Sequence, residues 1–232
     1  LAAFPYVNGQ LFAEQLPLAA FDSTMRDTLL DCSALDWSRI SPAIFGSLFQ
    51  SIMDKKARRD LGAHYTSESN ILKALRPLFL DELQAEFEKL RNKPRQLMDF
   101  HRKLADIHVF DPACGCGNFL VIAYRELRLL ELKVLRELHK AQQNRILDVS
   151  ELVWLNVDRF HGIELEEFPA QIAQVALWLT DHQMNLLVSE EFGLYFARLP
   201  LKTAPHILHD NALTMDWATL IAPQQLSFIV GN

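Results

Sequence analysis

Apolar positions along the chain follow a helical rhythm over roughly the first hundred residues, then give way to short β-prone runs separated by long helical ones. Residues 1 to about 60 read as helical. Ser41-Pro42 marks a helix start, with the hydroxyl as N-cap and proline in the first turn. Ile44, Leu48 and Ile52 then recur at four-residue spacing, with Phe45 and Phe49 beside them, as one apolar stripe. Gly62 interrupts the pattern. Residues 67–90 predict a second helix, with Ser69 and Asn70 as capping side chains, Ile71, Leu75, Leu78, Leu83 and Phe87 as its buried face, and a bend at Pro77. Residues 91–103 are charged and contain a proline, and read as a linker.

From residue 107 the rhythm changes. Residues 107–110 form a β-prone run that ends at Asp111, and a glycine-rich turn follows. A long amphipathic helix comes next, with Leu120, Tyr124, Leu127, Leu130, Val134 and Leu138 as its stripe. Arg125, Glu126, Arg128, Glu131 and Lys133 are expected to face water. A second strand over 159–163 ends in Glu164, and the helix after it starts near Pro169 with Ile172, Val175, Ala176, Leu179 and Leu186 turned inward. Residues 205–209 predict a third strand, ending in Asp210, and residues 226–230 a fourth, ending at Gly231-Asn232. Strands alternating with helices predict an α/β fold with a mainly parallel, doubly wound sheet, incomplete here and preceded by a helical segment. Ligands of such sheets sit at the carboxyl ends of the strands, where Asp111, Glu164, Asp210 and Asn232 all fall.

Composition narrows the reading. The chain has 232 residues, half of them apolar, with a formal charge of −6, which argues against strong non-specific nucleic-acid binding by this segment alone. Two basic groups run against that balance: Lys55, Lys56, Arg58 and Arg59, and Lys89, Arg91, Lys93, Arg95, Arg102 and Lys103. Each reads first as a solvated face and second as a phosphate contact. No apolar run approaches the roughly 18–20 residues needed to span a bilayer. The N-terminus resembles the interior of a longer protein rather than a signal peptide. Cys32, Cys114 and Cys116 offer no disulfide framework, which suggests a reducing cytoplasm. Cys114 and Cys116 lack further ligands at metal-like spacing, so no metal site is expected, and both read as small residues that fill the turn.

The strand-end residues suit one charged nucleoside cofactor, S-adenosylmethionine (SAM). Asp111 is placed to neutralise its cationic methionine end, and Gly115 and Gly117 to let the backbone approach it closely. Glu164 can accept both ribose hydroxyls. Asp210 can accept the adenine amine, with the Asn211 or Ala212 N–H available to a ring nitrogen. Each element also has a plain structural reading: a turn at Asp111-Pro112, a helix-capping charge at Glu164, a loop pair at Asp210-Asn211.

The run Asp111-Pro112-Ala113-Cys114-Gly115-Cys116-Gly117-Asn118-Phe119-Leu120 closely resembles the first SAM motif of Rossmann-like DNA methyltransferases that modify an exocyclic base amine. The resemblance is greatest to the N6-adenine type within large, MmeI-like restriction–modification polypeptides. The stretch from Gly62 through Tyr65 and Thr66 to Ser67 resembles the motif preceding the first strand, whose Thr contacts the cofactor's methionine end. Gly162-Ile163-Glu164, with Leu165 after it, and the stretch from His209 to Leu213 resemble the ribose and adenine motifs.

The resemblance covers roughly residues 40–232. It implies a cofactor site of Tyr65, Thr66, Asp111, Pro112, Ala113, Cys114, Gly115, Gly117, Asn118, Phe119, Glu164, Leu165, Asp210 and Asn211. It also implies residues 1–60 as a helical connector and 61–232 as the first part of a methyltransferase domain. Ile229-Val230-Gly231-Asn232 resembles the lead-in to an Asn-Pro-Pro-aromatic loop, in which the Asn and a following carbonyl accept from the adenine amine while the aromatic stacks on a flipped-out base. Asn232 is the member present, so the chain alone is expected to be inactive, its parent acting on duplex DNA. RNA and protein-glutamine methyltransferases share that loop and remain alternatives, as does a SAM-binding fragment without activity. A dinucleotide dehydrogenase expects a third glycine where Leu120 stands.

Overall fold

The computed structural model describes residues 20–35, 40–52, 66–141, 153–193 and 204–232. The expectations for residues 1–19, for the basic run at 55–59 and for 62–65, Tyr65 included, lie outside the described residues. Helices Ser23–Ser33 (α1) and Ile44–Ile52 (α2) precede Glu68–Leu75 (α3), Asp81–Leu90 (α4) and Pro94–Ala105 (α5). Strand Val109–Asp111 (β1), helix Asn118–Ala141 (α6), strand Phe160–Glu164 (β2), helix Glu167–Phe192 (α7) and strands His206–His209 (β3) and Phe228–Ile229 (β4) follow. None of these helices is long and apolar enough to cross a membrane.

The helical half departs from the sequence pattern at four points. Ser41 does not cap α2 through its hydroxyl, which is buried without a partner; instead Ile44 N donates to Ser41 O at 3.0 Å. Ile44 and Leu48 are exposed, and α2 meets the body through Ala43, Phe45 and Gly46. At Pro77, which has no N–H to give, the rod of α3 and α4 passes through a π-helical turn, Arg76–Leu80. The wider turn shifts the register, so Ile71, Leu75, Phe79, Leu83 and Phe87 are buried while Leu78, expected inside, is 46 % exposed. Finally, the stretch expected to be a linker is α5. Pro94 sits in its first turn, where the missing N–H costs nothing, and Leu97, Phe100, His101 and Leu104 bury one face. Lys103 reaches Glu86 at 2.6 Å and Arg91 reaches Glu137 at 3.2 Å, so these cations are met by the chain's own carboxylates.

The four strands run parallel in the order β3-β2-β1-β4. Val109 pairs with Phe160 and Phe228, and Glu164 with His209, so the chain passes from the centre to one edge and then crosses to the other side of β1. On one face Phe160 meets the Tyr124 ring of α6 edge-on, and Phe228 stacks on Phe79 at 4.6 Å. On the other face Trp217 lies edge-on to Phe110 at 5.2 Å, and the imidazoles of His108, His161 and His206 stack in a row.

Arg128 and Glu131 of α6, expected to face water, are both 1 % exposed. The Arg128 guanidinium donates to Asp181 at 2.6 Å, Tyr124 Oη at 2.7 Å and Asn185 at 2.8 Å, and its Nε lies 3.1 Å from Glu131. Glu131 also binds His101 at 2.9 Å and accepts from the Trp154 and Leu155 amides. These partners draw the inner face of α7 to Ala173, Ala176, Leu177, Thr180, Asp181, Met184, Asn185 and Val188. Leu179 and Leu186, expected inward, are therefore exposed at 39 % and 37 %.

Candidate functional site

The carboxyl ends of the strands gather most of the residues singled out in the sequence. Asp111 closes β1 in the middle of the sheet and is 2 % exposed. Its Oδ1 accepts from Ala113 N at 3.1 Å, which folds the turn that includes Pro112 back toward the strand. Burial, partly offset by that hydrogen bond and reinforced by the nearby charge of Glu164, pushes the Asp111 carboxyl up to about 7.

The turn after β1 is held by its own backbone and by β2. Cys114 N donates to Ile163 O at 3.0 Å, and Gly117 N to Cys114 O at 2.8 Å. The two glycines serve different ends. Gly115 has φ +55°, and a Cβ added there meets nothing within 4 Å, so that side of the turn is open. Gly117 has φ +81°, and its added Cβ would lie 2.9 Å from the Ala173 Cβ, so its bareness makes room for the packing of α7. Cys114 is buried and packs on Gly162, where a Cβ would meet its Sγ at 2.8 Å. Burial pushes the Cys114 thiol up and that of Cys116 up to about 12, so neither is a nucleophile.

Glu164 closes β2. Its Oε2 accepts from Gly115 N at 2.7 Å and its Oε1 from Glu166 N at 3.0 Å, so it both ties the glycine turn and caps the start of α7. Each oxygen keeps a further lone pair for a ligand hydroxyl. Asp210 follows β3. Its amide donates to Glu164 O at 3.0 Å, and its Oδ1 accepts from Asn211 N at 2.7 Å. Asn211 Oδ1 in turn accepts from Leu213 N at 3.0 Å. Leu165 and Leu213, exposed at 55 % and 93 %, supply apolar surface on the loops after β2 and β3.

Two of the sequence candidates pack against other parts of the fold. Asn118 at the head of α6 lies against α2, where a Cβ on Gly46 would stand 2.5 Å from its Nδ2, and Phe119 is buried in the main core. Gly231, read in the sequence only as part of the lead-in to Asn232, joins the site itself: at φ +141°, a Cβ there would come 3.0 Å from Asp111 Oδ1. Ala173 joins it as the partner of Gly117, and nothing in the sequence marks that residue. Asn232 Nδ2 donates to Thr66 Oγ1 at 2.9 Å. Among the described residues no group of three His, Cys, Asp or Glu side chains could hold a metal ion.

The model of the MmeI DNA-methyltransferase domain family matches residues 87–232. A chain named DNA methyltransferase A from Bacillus subtilis (strain 168) is 38 % identical over all of this chain and 26 % of its own length. One from Methanocaldococcus jannaschii, provisionally named a type II restriction enzyme and methyltransferase, is 23 % identical over 75 % of this chain and 18 % of its own. A solved structure, described as the Type IIL restriction–modification enzyme MmeI in complex with DNA, superimposes with a TM-score of 0.90 at 66 % identity, over 99 % of this chain and 31 % of that one. The chain thus spans about a third or less of the length of these relatives.

Proposed function

The chain belongs to the MmeI DNA-methyltransferase family, and from that premise we propose that its 232 residues supply the SAM site, and Asn232, of an enzyme that methylates adenine N6 in duplex DNA within a restriction–modification system. One observation carries the reading: Asp111, Glu164 and Asp210 end three successive parallel strands around a glycine turn whose open side, at Gly115, faces no protein atom within 4 Å. A buried acid pushed up to about 7 fits a cationic ligand end, and Glu164 retains acceptor capacity for a diol.

SAM would supply an electrophilic methyl on a sulfonium. The chain's own residues would bind and orient. Asp111 meets the positive methionine end, with Thr66 beside it; Tyr65 is a further cofactor contact that the family resemblance implies. Glu164 takes the ribose hydroxyls, and Asp210 and Asn211 take the adenine edge against the apolar surface of Leu165. Asn232 Oδ1 accepts from the target amine and holds its lone pair out of conjugation with the base. Residues 61–232 belong to the methyltransferase domain, and residues 1–60 act as a helical connector. Duplex DNA is the partner of the whole polypeptide, which works in the cytoplasm.

Tritiated methyl transfer by the full-length polypeptide, followed by nucleoside analysis, tests the substrate: label at N6-methyladenine is expected, and label at cytosine, in RNA or on protein defeats it. Calorimetry tests the site. Loss of a charge-assisted hydrogen bond costs about 1.5–3 kcal/mol, so Glu164→Ala should weaken SAM binding roughly 10- to 100-fold. Unchanged affinity in both Glu164→Ala and Asp111→Ala would sink the assignment. The 232 residues alone should show no turnover, because the aromatic and the second amine acceptor that the family resemblance implies are not among them.

A further inference from the structure

The bond from Asn232 Nδ2 to Thr66 Oγ1, 2.9 Å long, joins two residues assigned to different tasks. Thr66 stands just ahead of α3, whose Ile71 and Leu75 are fully buried, so its hydroxyl rests on a fixed support. On the other side, Gly231, at φ +141°, brings the backbone against Asp111, where an added Cβ would stand only 3.0 Å from Oδ1. The segment after β4 is thereby seated on one proposed cofactor residue while its side chain is held by another. A primary amide has a donor end and an acceptor end. With Nδ2 engaged by Thr66, Oδ1 is the end left for a target amine. A threonine hydroxyl can bond either end of the amide, so Thr66 fixes its place, and the target amine, a donor, selects Oδ1.

We propose that Thr66 is a positioning residue for Asn232: its hydroxyl, 2.9 Å from the side-chain amide, holds that amide in place for the methyl acceptor, whose own amine selects the Oδ1 end. The inference rests on the amine-methylation reading above and adds a second duty to a residue whose expected role was cofactor contact alone. It also links the two sites, because one hydroxyl serves both.

The test uses the full-length polypeptide with Thr66→Val, which keeps the shape and removes the hydroxyl, and Thr66→Ser, which keeps the hydroxyl. Thermal melts establish that each folds, calorimetry gives SAM affinity, and single-turnover methyl transfer is measured with SAM and DNA saturating. Thr66→Val should slow the single turnover by about tenfold or more, and Thr66→Ser should stay within about threefold of wild type. A Thr66→Val enzyme that reaches the wild-type rate once saturated overturns the proposal, since the hydroxyl then serves only the cofactor. Equal losses in the two variants overturn it as well, because packing of the methyl group would account for them. Label on an acceptor other than adenine N6 defeats the adenine reading while leaving the Val–Ser comparison to decide the role of Thr66. No methyl transfer to any acceptor defeats both.

Discussion

Burial at the centre of the sheet governs what Asp111 does. Unfolded, its carboxyl titrates near 3.8; folded, it is pushed up to about 7. Between those values the folded chain holds a proton that the unfolded chain releases. The stability from that proton is therefore present below about pH 4 and lost as pH rises through about 7. Asp111→Asn should accordingly melt above wild type at pH 8, by on the order of a few kcal/mol, with the difference closing toward pH 4. A pH series of thermal melts without ligand checks this. A cationic ligand needs the ionised form, so SAM affinity should climb by up to about tenfold per pH unit below 7 and then level off, a slope that Asp111→Asn abolishes. Calorimetry across pH 5.5–8 reads it directly. The glycines give a second contrast. Gly117→Ala drives a Cβ to 2.9 Å from Ala173 at φ +81° and should cost about 1–3 kcal/mol in a denaturant melt. Gly115→Ala meets no protein atom and should cost about 1 kcal/mol of strain, yet it should impair SAM binding more than Gly117→Ala does. The sequence gives both glycines the same reading, because spacing identifies the turn but not which side of it meets a helix.

Helices and strands were legible to different degrees, and the differences have physical causes. Each of the four β-prone runs forms a strand, because a short apolar run ending in an acid or at a glycine needs little tertiary context to be recognised. α5 was hidden by its charge: Arg95, Arg102 and Lys103 dominate the composition, although Leu97, Phe100 and Leu104 keep helical spacing. The π-helical turn at Pro77 could be read as a bend but not as a change of register, and it exchanges Leu78 for Phe79 in the core. Phe79→Ala should cost about 3–5 kcal/mol and Leu78→Ala less than about 1, a pair of denaturant melts that tests this register. Arg128 and Glu131 read as solvated because their partners are distant: Asp181 and Asn185 lie on α7, and the Trp154 and Leu155 amides precede β2. Arg128→Met would leave Asp181 and Glu131 buried without their cation and should destabilise by about 3–5 kcal/mol. A smaller loss would mean that water reaches the network.

At the scale of the molecule, charge and topology divide the labour. The net charge of −6 and the acids crowded at one end of the sheet suit a cationic nucleoside and repel phosphate. The 232 residues alone should therefore bind duplex DNA no more tightly than about 10⁻⁴–10⁻⁶ M at physiological salt, as a filter-binding titration would report. The order β3-β2-β1-β4 sets the cofactor acids on β1, β2 and the end of β3, whereas Asn232 follows β4 on the far side of β1. On the proposed reading, donor recognition and acceptor chemistry belong to separate halves of one sheet, joined at Asp111 and Thr66. Change in one half is then constrained by the other only at that junction. A lineage that exchanges its methyl acceptor would alter residues beyond β4 while keeping the donor half, Thr66 included, so long as the residue at 232 still meets its hydroxyl. On that reading, the separation would let one strand-and-glycine signature serve enzymes whose acceptors differ.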